Sequence, residues 1–450
     1  MSLKATRCAY IKQLNSEIDV LVDTVPLTAL LPPENIDKDG QLSLGPAEVL
    51  IKVRAVALSS LDTEVYEGQW QFNSCSAQPT EDHRNNNNNN NAFPPPLPFV
   101  TGYEFSGVVV SVGSAVARMN DLLVENNNDN DSNKKAGGRQ LSGQATVRKG
   151  QAVVGLAPID RRLGCMSEYT VQNVSCLVPK PALVLHEDAA SIIGPGLRAM
   201  TALHYHISTH VGDTLLVVQG ASPTGRVAIQ LAVHLGLRVL AMGDTAKEIN
   251  YLEDLGARLG SSQRGSLVRV IDTRNGPDLI LSQVMEETGH MGVDGVFEAD
   301  TSNCTSSKNS ESKSRISSGG DEDGSSDRGS NITDDGNDHT DLKRTMLECL
   351  GTNGAYITTR RDLQLDPGES QRLALKGGSL SFVFEQTWVL SPCKQGKYLH
   401  IMNQVMNYLA DGTLGTLVGG DCTSLGRARE AYRSVQKGTD VMGRAVIKIE

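Results

Sequence analysis

The chain has 450 residues, 39% of them hydrophobic, which is enough for two or three domains with sizeable cores. Its formal net charge of −10 and the lack of a dense Lys/Arg stretch argue against direct nucleic-acid binding. Its eight cysteines form no CxxC pair, so we expect no structural zinc site or disulfide framework, and we predict a cytoplasmic protein with reduced thiols.

The first residues predict the opening strand of a β domain. They contain no secretory apolar core, and no apolar run in the chain approaches the ~18 residues of a membrane span, so we expect no membrane insertion. Lys4, Arg7 and Lys12, with no acid among the first sixteen residues, leave a mitochondrial presequence as the alternative.

Three segments have compositions typical of flexible insertions. Residues 73–98 include seven consecutive Asn, residues 120–149 are rich in Asn, Asp, Gly and Lys, and residues 302–341 are acidic and rich in Ser and Gly. Each lacks the apolar side chains that could offset the entropy of ordering, so we predict three disordered insertions. The remaining residues, roughly 350, suit two domains.

Short β-strand patterns punctuated by Gly and Pro dominate the first 185 residues. They lie at 48–57, 103–112, 152–157, 168–171 and 175–178. This pattern predicts a β-barrel-like domain. Residues 443–450 form one more strand pattern, which we expect to rejoin that domain.

Strands and helices alternate from residue 187 onward, which predicts an α/β fold with a parallel sheet. The apolar spacing predicts a helix over 398–409. The predicted strands lie at 215–219, 238–242, 295–298, 355–359 and 379–384.

The most informative stretch is a βαβ unit over residues 212–244. A buried strand leads into a tight turn from Gly220 to Gly225, and an apolar helix and a second strand follow. Such a turn places a diphosphate at a helix N-terminus, so we predict a dinucleotide cofactor. Ser222 replaces a glycine of the usual three-glycine turn, which leaves open a fold that kept the shape and lost the ligand.

Several segments together resemble the medium-chain dehydrogenase/reductase superfamily, nearest its zeta-crystallin-type quinone oxidoreductases. They read GYEFSGVVVSVGSAV, GASPTGRVAIQLA, EETGHMGVD, GVDGVFEAD and GRAVIKIE. The resemblance implies a GroES-like β-barrel domain over 1–185, a Rossmann doubly wound parallel sheet over 186–412, and a return to the first domain over 413–450. It also implies a homodimer joined through the edge strand at 380–384.

The resemblance further implies that the glycine turn faces the diphosphate. Arg226 begins the next helix and either reaches a phosphate or is a solvated residue at the helix start. The cofactor residues implied at the turn are Gly220, Ser222, Thr224, Gly225 and Arg226.

Cofactor choice is implied at the end of the second strand. Gly243 leaves room for a 2′-phosphate, and Lys247 is close enough in sequence to help neutralise it, which favours NADP(H). Asp244 instead favours NAD, because an acidic side chain at this place binds the ribose 2′-OH of NAD.

The zinc-dependent members of the superfamily hold the metal with a Cys, a His and a Cys. The matching positions here are Ser59, Tyr103 and Pro195, which are poor zinc ligands or none, so we expect no metal. A hydroxyl donor must then polarise the acceptor, and Tyr66, Ser59 and Tyr103 are the candidates. Each has packing as its alternative role, and Tyr66 is offset, because the position of the quinone reductase tyrosine is Glu64.

The resemblance therefore implies an NADPH-dependent, zinc-independent oxidoreductase that reduces a quinone or an α,β-unsaturated carbonyl. The second hypothesis is a catalytically weak or inactive subunit of a multi-protein complex on early endosomes, where relatives of this group are found. The altered turn and Glu64 favour the subunit, whereas the retained βαβ frame favours the enzyme.

Overall fold

The computed structural model describes most of the chain. The predicted insertion at 73–98 lies outside the described residues, as do residues 129–146 and 302–337 of the other two predicted insertions. The described residues are 5–11, 20–31, 35–66, 99–128, 147–160, 164–207, 209–260, 267–300, 338–420, 422–438 and 443–450.

The strands of the described residues form three sheets. Neighbouring strands follow the orders β2-β1-β4, β11-β10-β9-β12-β13-β14 and β15-β16-β3-β5-β6-β8, with β7 paired to β3. The strands are β1 (Ala5–Ile11), β2 (Val20–Pro26), β3 (Glu48–Ala57), β4 (Phe99–Val100), β5 (Glu104–Val112), β6 (Ala152–Leu156), β7 (Tyr169–Asn173), β8 (Leu177–Pro179), β9 (Thr214–Val218), β10 (Arg238–Gly243), β11 (Val268–Asp272), β12 (Val293–Glu298), β13 (Leu350–Thr358), β14 (Ser379–Phe382), β15 (Thr423–Ser424) and β16 (Val446–Lys448).

The helices of the described residues cover the sheets, and the fourth of them, α4, packs against both the parallel-sheet helices and the strands of the seven-stranded sheet. A π-helical turn at Ala202–His206 follows it. The helices are α1 (Leu27–Leu30), α2 (Ser60–Tyr66), α3 (Ser114–Asn128), α4 (His186–Thr201), α5 (Pro223–His234), α6 (Ala246–Gly260), α7 (Pro277–Glu287), α8 (Asp338–Cys349), α9 (Pro367–Leu375), α10 (Gln386–Leu390), α11 (Gln395–Ala410) and α12 (Ala428–Gln436). None of these helices has the length and apolar character that crossing a membrane requires.

The six-stranded sheet is parallel throughout, and its strands are apolar because helices cover both faces. Leu215 and Val217 of β9 pack into one core cluster, whereas Leu216 and Val218 pack into another on the opposite face. β9 lies between β10 and β12, so the strand order reverses beside it. Ligands of Rossmann sheets bind outside the carboxyl ends of the strands at this reversal. The predicted doubly wound sheet is confirmed.

The seven-stranded sheet is built around β3, as the predicted GroES-like domain requires. β5 pairs antiparallel along one side of β3. On the other side β7 pairs with residues 48–52, and β16 pairs with residues 55–57. The predicted β fold is confirmed, and the tail at 443–450 contributes a strand to it. The domain bounds 1–185, 186–412 and 413–450 stay a prediction.

Two of the predicted insertions are shorter than composition indicated. The helix α3 runs to Asn128, so the prediction of disorder is wrong for residues 120–128. The physical reason is that a buried residue beyond the polar stretch holds the helix in place. Val147 is buried, and its carbonyl accepts a hydrogen bond from Asn120 Nδ2 at 3.0 Å. Residues 338–341 likewise belong to α8.

Candidate active site

The glycine turn joins the end of β9 to the start of α5. Gln219 has a φ of 55°, and the Gly220 N–H donates to the Met242 carbonyl at 2.9 Å, which ties the turn to β10. At Gly225 a Cβ would lie 2.9 Å from the Gly220 carbonyl oxygen and closer still to that of Gln219. Only glycine lets α5 approach the end of β9 this closely, so the turn keeps the tight helix–strand packing of a dinucleotide fold.

The backbone donors in the first turn of α5 are engaged within the chain. Ser222 is the N-cap, and its Oγ accepts the Gly225 N–H at 3.1 Å. Pro223 has no N–H to offer. The Thr224 N–H donates to Asp300 Oδ2 at 3.0 Å, and the Thr224 hydroxyl donates to Asp300 Oδ1 at 2.9 Å. A carboxylate therefore lies against the helix end where a dinucleotide diphosphate would bind.

Arg226, a predicted phosphate ligand, points to another part of the chain. Its Nη2 donates to the Thr416 carbonyl at 3.1 Å, and its guanidinium lies 4.7 Å from the centre of the Tyr251 ring. Burial lowers the pKa of this guanidinium. The solvated helix-start alternative does not describe it either, because Arg226 is 9% exposed.

Two acids, Asp244 after β10 and Glu248 on α6, lie beside the predicted 2′-phosphate position. A Cβ at Gly243 would lie 3.1 Å from Ile249 Cγ1, so the packing of α6 accounts for this glycine. The Asp244 carboxylate accepts the Thr273 hydroxyl at 2.6 Å, and the Asp244 N–H donates to Glu248 Oε2 at 2.8 Å. The predicted ligand Lys247 lies exposed in the first turn of α6.

The structure places two of the three candidate hydroxyl donors around the buried carboxyl of Asp62. The Ser59 N–H and Oγ donate to Asp62 Oδ2 at 2.9 and 3.2 Å, and the Gly102 N–H donates to Oδ1 at 2.9 Å. Tyr103 is 1% exposed, and burial, with a smaller contribution from Asp62, raises the pKa of its hydroxyl well above the usual range. Tyr66 is the last residue of α2, and its side chain lies outside what the structure describes.

Asp62 predicts a measurable pH dependence. Burial raises its pKa to about 6 from the ordinary 3.8, so the folded protein binds this proton more tightly than the unfolded chain. The stability that the group contributes is complete below pH 3.8 and is lost as the pH rises through 6, by about 3 kcal/mol in all. The difference in unfolding free energy between wild type and Asp62→Asn should therefore favour wild type increasingly as the pH falls from 7 to 4. Urea titrations measure the difference, with Asp278→Asn, at an exposed position, as the control.

Five charged residues meet beside α4, which packs against α5 and against the strands of the seven-stranded sheet, and we call them the buried charge cluster. Arg444 donates to both carboxylate oxygens of Glu104, and Arg198 lies 3.8 Å from the same carboxylate. Arg198 also lies 2.6 Å from Asp300 through Nη1 and 3.4 Å from Glu385 through Nε. Burial lowers the pKa of the Arg198 guanidinium, but the surrounding carboxylates outweigh burial and raise it. The members are Glu104, Arg198, Asp300, Glu385 and Arg444.

A second ion pair lies near the buried charge cluster. Arg361, which follows β13, lies 2.9 Å from Glu64 on α2. The position that the resemblance matches to the quinone reductase tyrosine, Glu64, thus carries a carboxylate paired with Arg361.

Sequence reasoning did not identify most of the buried charge cluster. Asp300 closes the strand segment GVFEAD, and nothing in the sequence pairs it with Arg198. A signal was available in Glu104 and Arg444, because charged residues inside strand patterns need partners when buried. The partners lie 340 residues apart, and only the fold brings them together.

A glycine turn opening α5, a GroES-like sheet and a junction lined by charged and hydroxyl groups agree with the sequence comparisons. Residues 45–182 match the alcohol dehydrogenase GroES-like domain. Mouse quinone oxidoreductase-like protein 1 is 33% identical over 285 residues, which is 63% of this chain and 72% of that protein. The chain belongs to the medium-chain dehydrogenase/reductase superfamily.

Solved structures of this superfamily share the fold over nearly the whole chain. An alcohol dehydrogenase superfamily protein from Novosphingobium aromaticivorans has a TM-score of 0.65 at 18% identity, covering 99% of this chain and 100% of that one. A mycobacterial protein complexed with NADPH has a TM-score of 0.63 at 20% identity, with the same coverage. At these identities the likeness concerns the fold.

Ser59, Tyr103 and Pro195, which the resemblance matches to zinc-ligand positions, lie as follows in the structure. Ser59 and Tyr103 lie beside Asp62, and Pro195 lies inside α4, next to a glycine whose N–H donates to Glu104 at 3.2 Å. Within the part of the chain that the structure describes, no group of three or more His, Cys, Asp or Glu side chains is placed to hold a metal ion.

Proposed function

We propose that the protein is an NADP(H)-dependent oxidoreductase that reduces a quinone or an α,β-unsaturated carbonyl without zinc. The observation that carries this proposal is the β9–turn–α5–β10 frame, in which Gly225 is fixed by close backbone contacts at the strand reversal. A NADPH-dependent alkenal/one oxidoreductase of Arabidopsis thaliana is a further relative, 28% identical over 215 residues, or 47% of this chain and 44% of that protein.

The turn residues fit a nicotinamide dinucleotide. Gly220 and Gly225 keep the turn close to the ends of β9 and β10, and the Ser222 and Thr224 hydroxyls lie at the same helix end, where the Thr224 hydroxyl donates to Asp300. Gly243 and Lys247 are the proposed neighbours of the adenosine ribose. When bound, the cofactor supplies a hydride for the acceptor carbonyl or its conjugated alkene. Arg226 is the weakest member of this proposed set, because its contacts lie at Thr416 and Tyr251.

The chain's own contribution to the reaction is a hydroxyl that steadies charge on the acceptor oxygen. Tyr66, Ser59 and Tyr103 are the proposed donors. Tyr103 keeps its proton at neutral pH because burial raises its pKa, and at 1% exposure it is less accessible than Ser59, which is 9% exposed.

The cofactor proposal has a direct binding test. NADPH should raise the melting temperature of the purified protein, and oxidation of NADPH by a simple quinone should follow. Lys247→Ala should weaken NADPH binding about tenfold and leave NADH binding unchanged, because a single charge–phosphate contact contributes roughly 1–2 kcal/mol. Lys437→Ala, another exposed lysine, is the matched control. If neither NADPH nor NADH binds, the proposed enzymatic function is contradicted.

We also propose that the protein is a homodimer joined at β14. This strand ends the parallel sheet, and Phe382 on it is 50% exposed. Light scattering should give the mass of two chains. Phe382→Asp should give the monomer mass, whereas Leu375→Asp, at an exposed apolar residue on α9, should leave the dimer intact.

One observation favours the alternative, a reductase fold used as a subunit of an early-endosome-associated complex. The Thr224 and Gly225 N–H groups already have acceptors within the chain. On this alternative the protein binds neither nucleotide at millimolar concentration and co-purifies with a defined set of partner proteins from an endosomal fraction.

A further inference from the structure

The helix end proposed for the cofactor diphosphate already binds an anion, and that anion belongs to the chain. The Asp300 carboxylate accepts the backbone N–H and the hydroxyl of Thr224 at 3.0 and 2.9 Å. The same carboxylate lies 2.6 Å from Arg198 Nη1. Two oxygen atoms thus receive at least three donors, one of them cationic, which is how a bound phosphate oxygen pair would be recognised.

The position of Asp300 in the sheet explains why it reaches this helix end. It lies two residues beyond β12, which neighbours β9 at the strand reversal. The Ala299 N–H is within 3.5 Å of the Val218 carbonyl, so the chain stays beside β9 as it passes the glycine turn. Asp300 therefore lies on the edge of the sheet where Rossmann folds bind their ligands.

A helix cap alone does not account for this arrangement. The cap position is filled by Ser222, whose Oγ accepts the Gly225 N–H at 3.1 Å. Arg198 does not need Asp300 either, since Glu104 and Glu385 lie 3.8 and 3.4 Å from its guanidinium. Removing the Asp300 carboxylate leaves Arg198 beside Glu104 and Glu385 and takes this acceptor from the N–H and the hydroxyl of Thr224.

Electrostatic repulsion disfavours the Asp300 carboxylate and a diphosphate binding at Thr224 at the same time. The buried charge cluster holds two arginines and three carboxylates, a formal charge of −1. A diphosphate at Thr224 would add further negative charge within a few ångströms of Asp300, in a site where the Arg198 and Glu104 side chains are almost fully buried and poorly screened.

We propose that Asp300 is an autoinhibitory ligand of the cofactor site, so that a phosphate group binds at the N-terminus of α5 only by displacing its carboxylate from Thr224 and Arg198. This inference rests on the proposed function for its biological meaning. The displaced state keeps Arg198 beside the helix end, where its guanidinium is available to the incoming phosphate.

Inorganic pyrophosphate is the probe that tests the contact without reference to catalysis. The full chain is compared as wild type, Asp300→Ala, Asp300→Asn and Asp278→Ala, the last removing an exposed acid from the first turn of α7. Calorimetric titration at fixed ionic strength should show at least about tenfold tighter pyrophosphate binding for Asp300→Ala, the worth of one lost charge-assisted competitor. Asp300→Asn should show a smaller gain, and Asp278→Ala should match wild type.

The outcomes separate this inference from the proposed function. Equal pyrophosphate affinity in Asp300→Ala and Asp278→Ala overturns the inference. If Asp300→Ala does not fold, equal pyrophosphate affinity in Asp300→Asn and wild type overturns it instead. NADPH is then titrated into the same proteins. If Asp300→Ala binds pyrophosphate more tightly but no variant binds NADPH, the result supports Asp300 as the competing anion and overturns the proposed oxidoreductase function. NADPH bound equally by wild type and Asp300→Ala supports the oxidoreductase and overturns the autoinhibition.

Discussion

Arg444→Met is expected to lower the free energy of unfolding by about 3–5 kcal/mol, because it strips a fully buried carboxylate of its main counter-ion. Arg444 is 4% exposed and donates to both oxygens of Glu104, to the Leu58 carbonyl at 2.8 Å and to the Ser191 carbonyl at 3.0 Å. Without it the counter-ion left to Glu104 is the more distant Arg198. Urea unfolding of the full chain, followed by circular dichroism, measures the loss.

Two further variants test the origin of that loss. Arg427→Met removes an exposed arginine paired with Glu430 and should change stability by less than about 1 kcal/mol. The double variant Arg444→Met/Glu104→Gln should recover part of the loss, because the residual penalty comes from an unpaired buried charge. An Arg444→Met protein as stable as Arg427→Met would contradict the role assigned to the buried charge cluster.

Gly225→Val is expected to abolish NADPH binding and to destabilise the protein by about 1–3 kcal/mol, as overpacking between a helix and a strand does. The new Cβ would meet the carbonyl oxygens of Gln219 and Gly220, so α5 must move away from the end of β9. Thermal unfolding and NADPH titration check both effects.

Gly396→Ala is the matched substitution for this test. Gly396 lies in the first turn of α11, and a methyl group added there would meet, within 4 Å, only the backbone of its own helix among the described residues. Alanine should therefore stabilise the protein by up to about 1 kcal/mol and leave NADPH binding unchanged. Equal NADPH affinity in Gly225→Val and Gly396→Ala would remove the glycine turn from the cofactor site.

The strands could be predicted from the sequence wherever burial alone decides the pattern. The prediction of 48–57 coincides with β3, and 215–219 lies one residue from β9, because both are apolar, β-branched and bounded by turns. The helix α3 could not be predicted, since its anchor, Val147, lies beyond a polar stretch that obscures it.

The site divides in a similar way. The turn from Gly220 to Gly225 could be predicted from local spacing, because the atoms that a side chain at either glycine would meet lie nearby in the chain or on the adjacent strand. Asp300 at the N-terminus of α5 could not be predicted, because its partner Thr224 is 76 residues away and either residue alone has an ordinary surface role.

The pairing of β16 with β3 sets a lower limit on how soon the protein can finish folding. Arg444 reaches the Leu58 carbonyl across 386 residues, a stretch that takes a ribosome roughly 20–80 s to synthesise. Until then the backbone of residues 55–57 has no partner on that side, and the Glu104 carboxylate has no Arg444. The early part of the chain thus waits as an incomplete sheet with an open edge, which is the kind of surface that chaperones bind during synthesis.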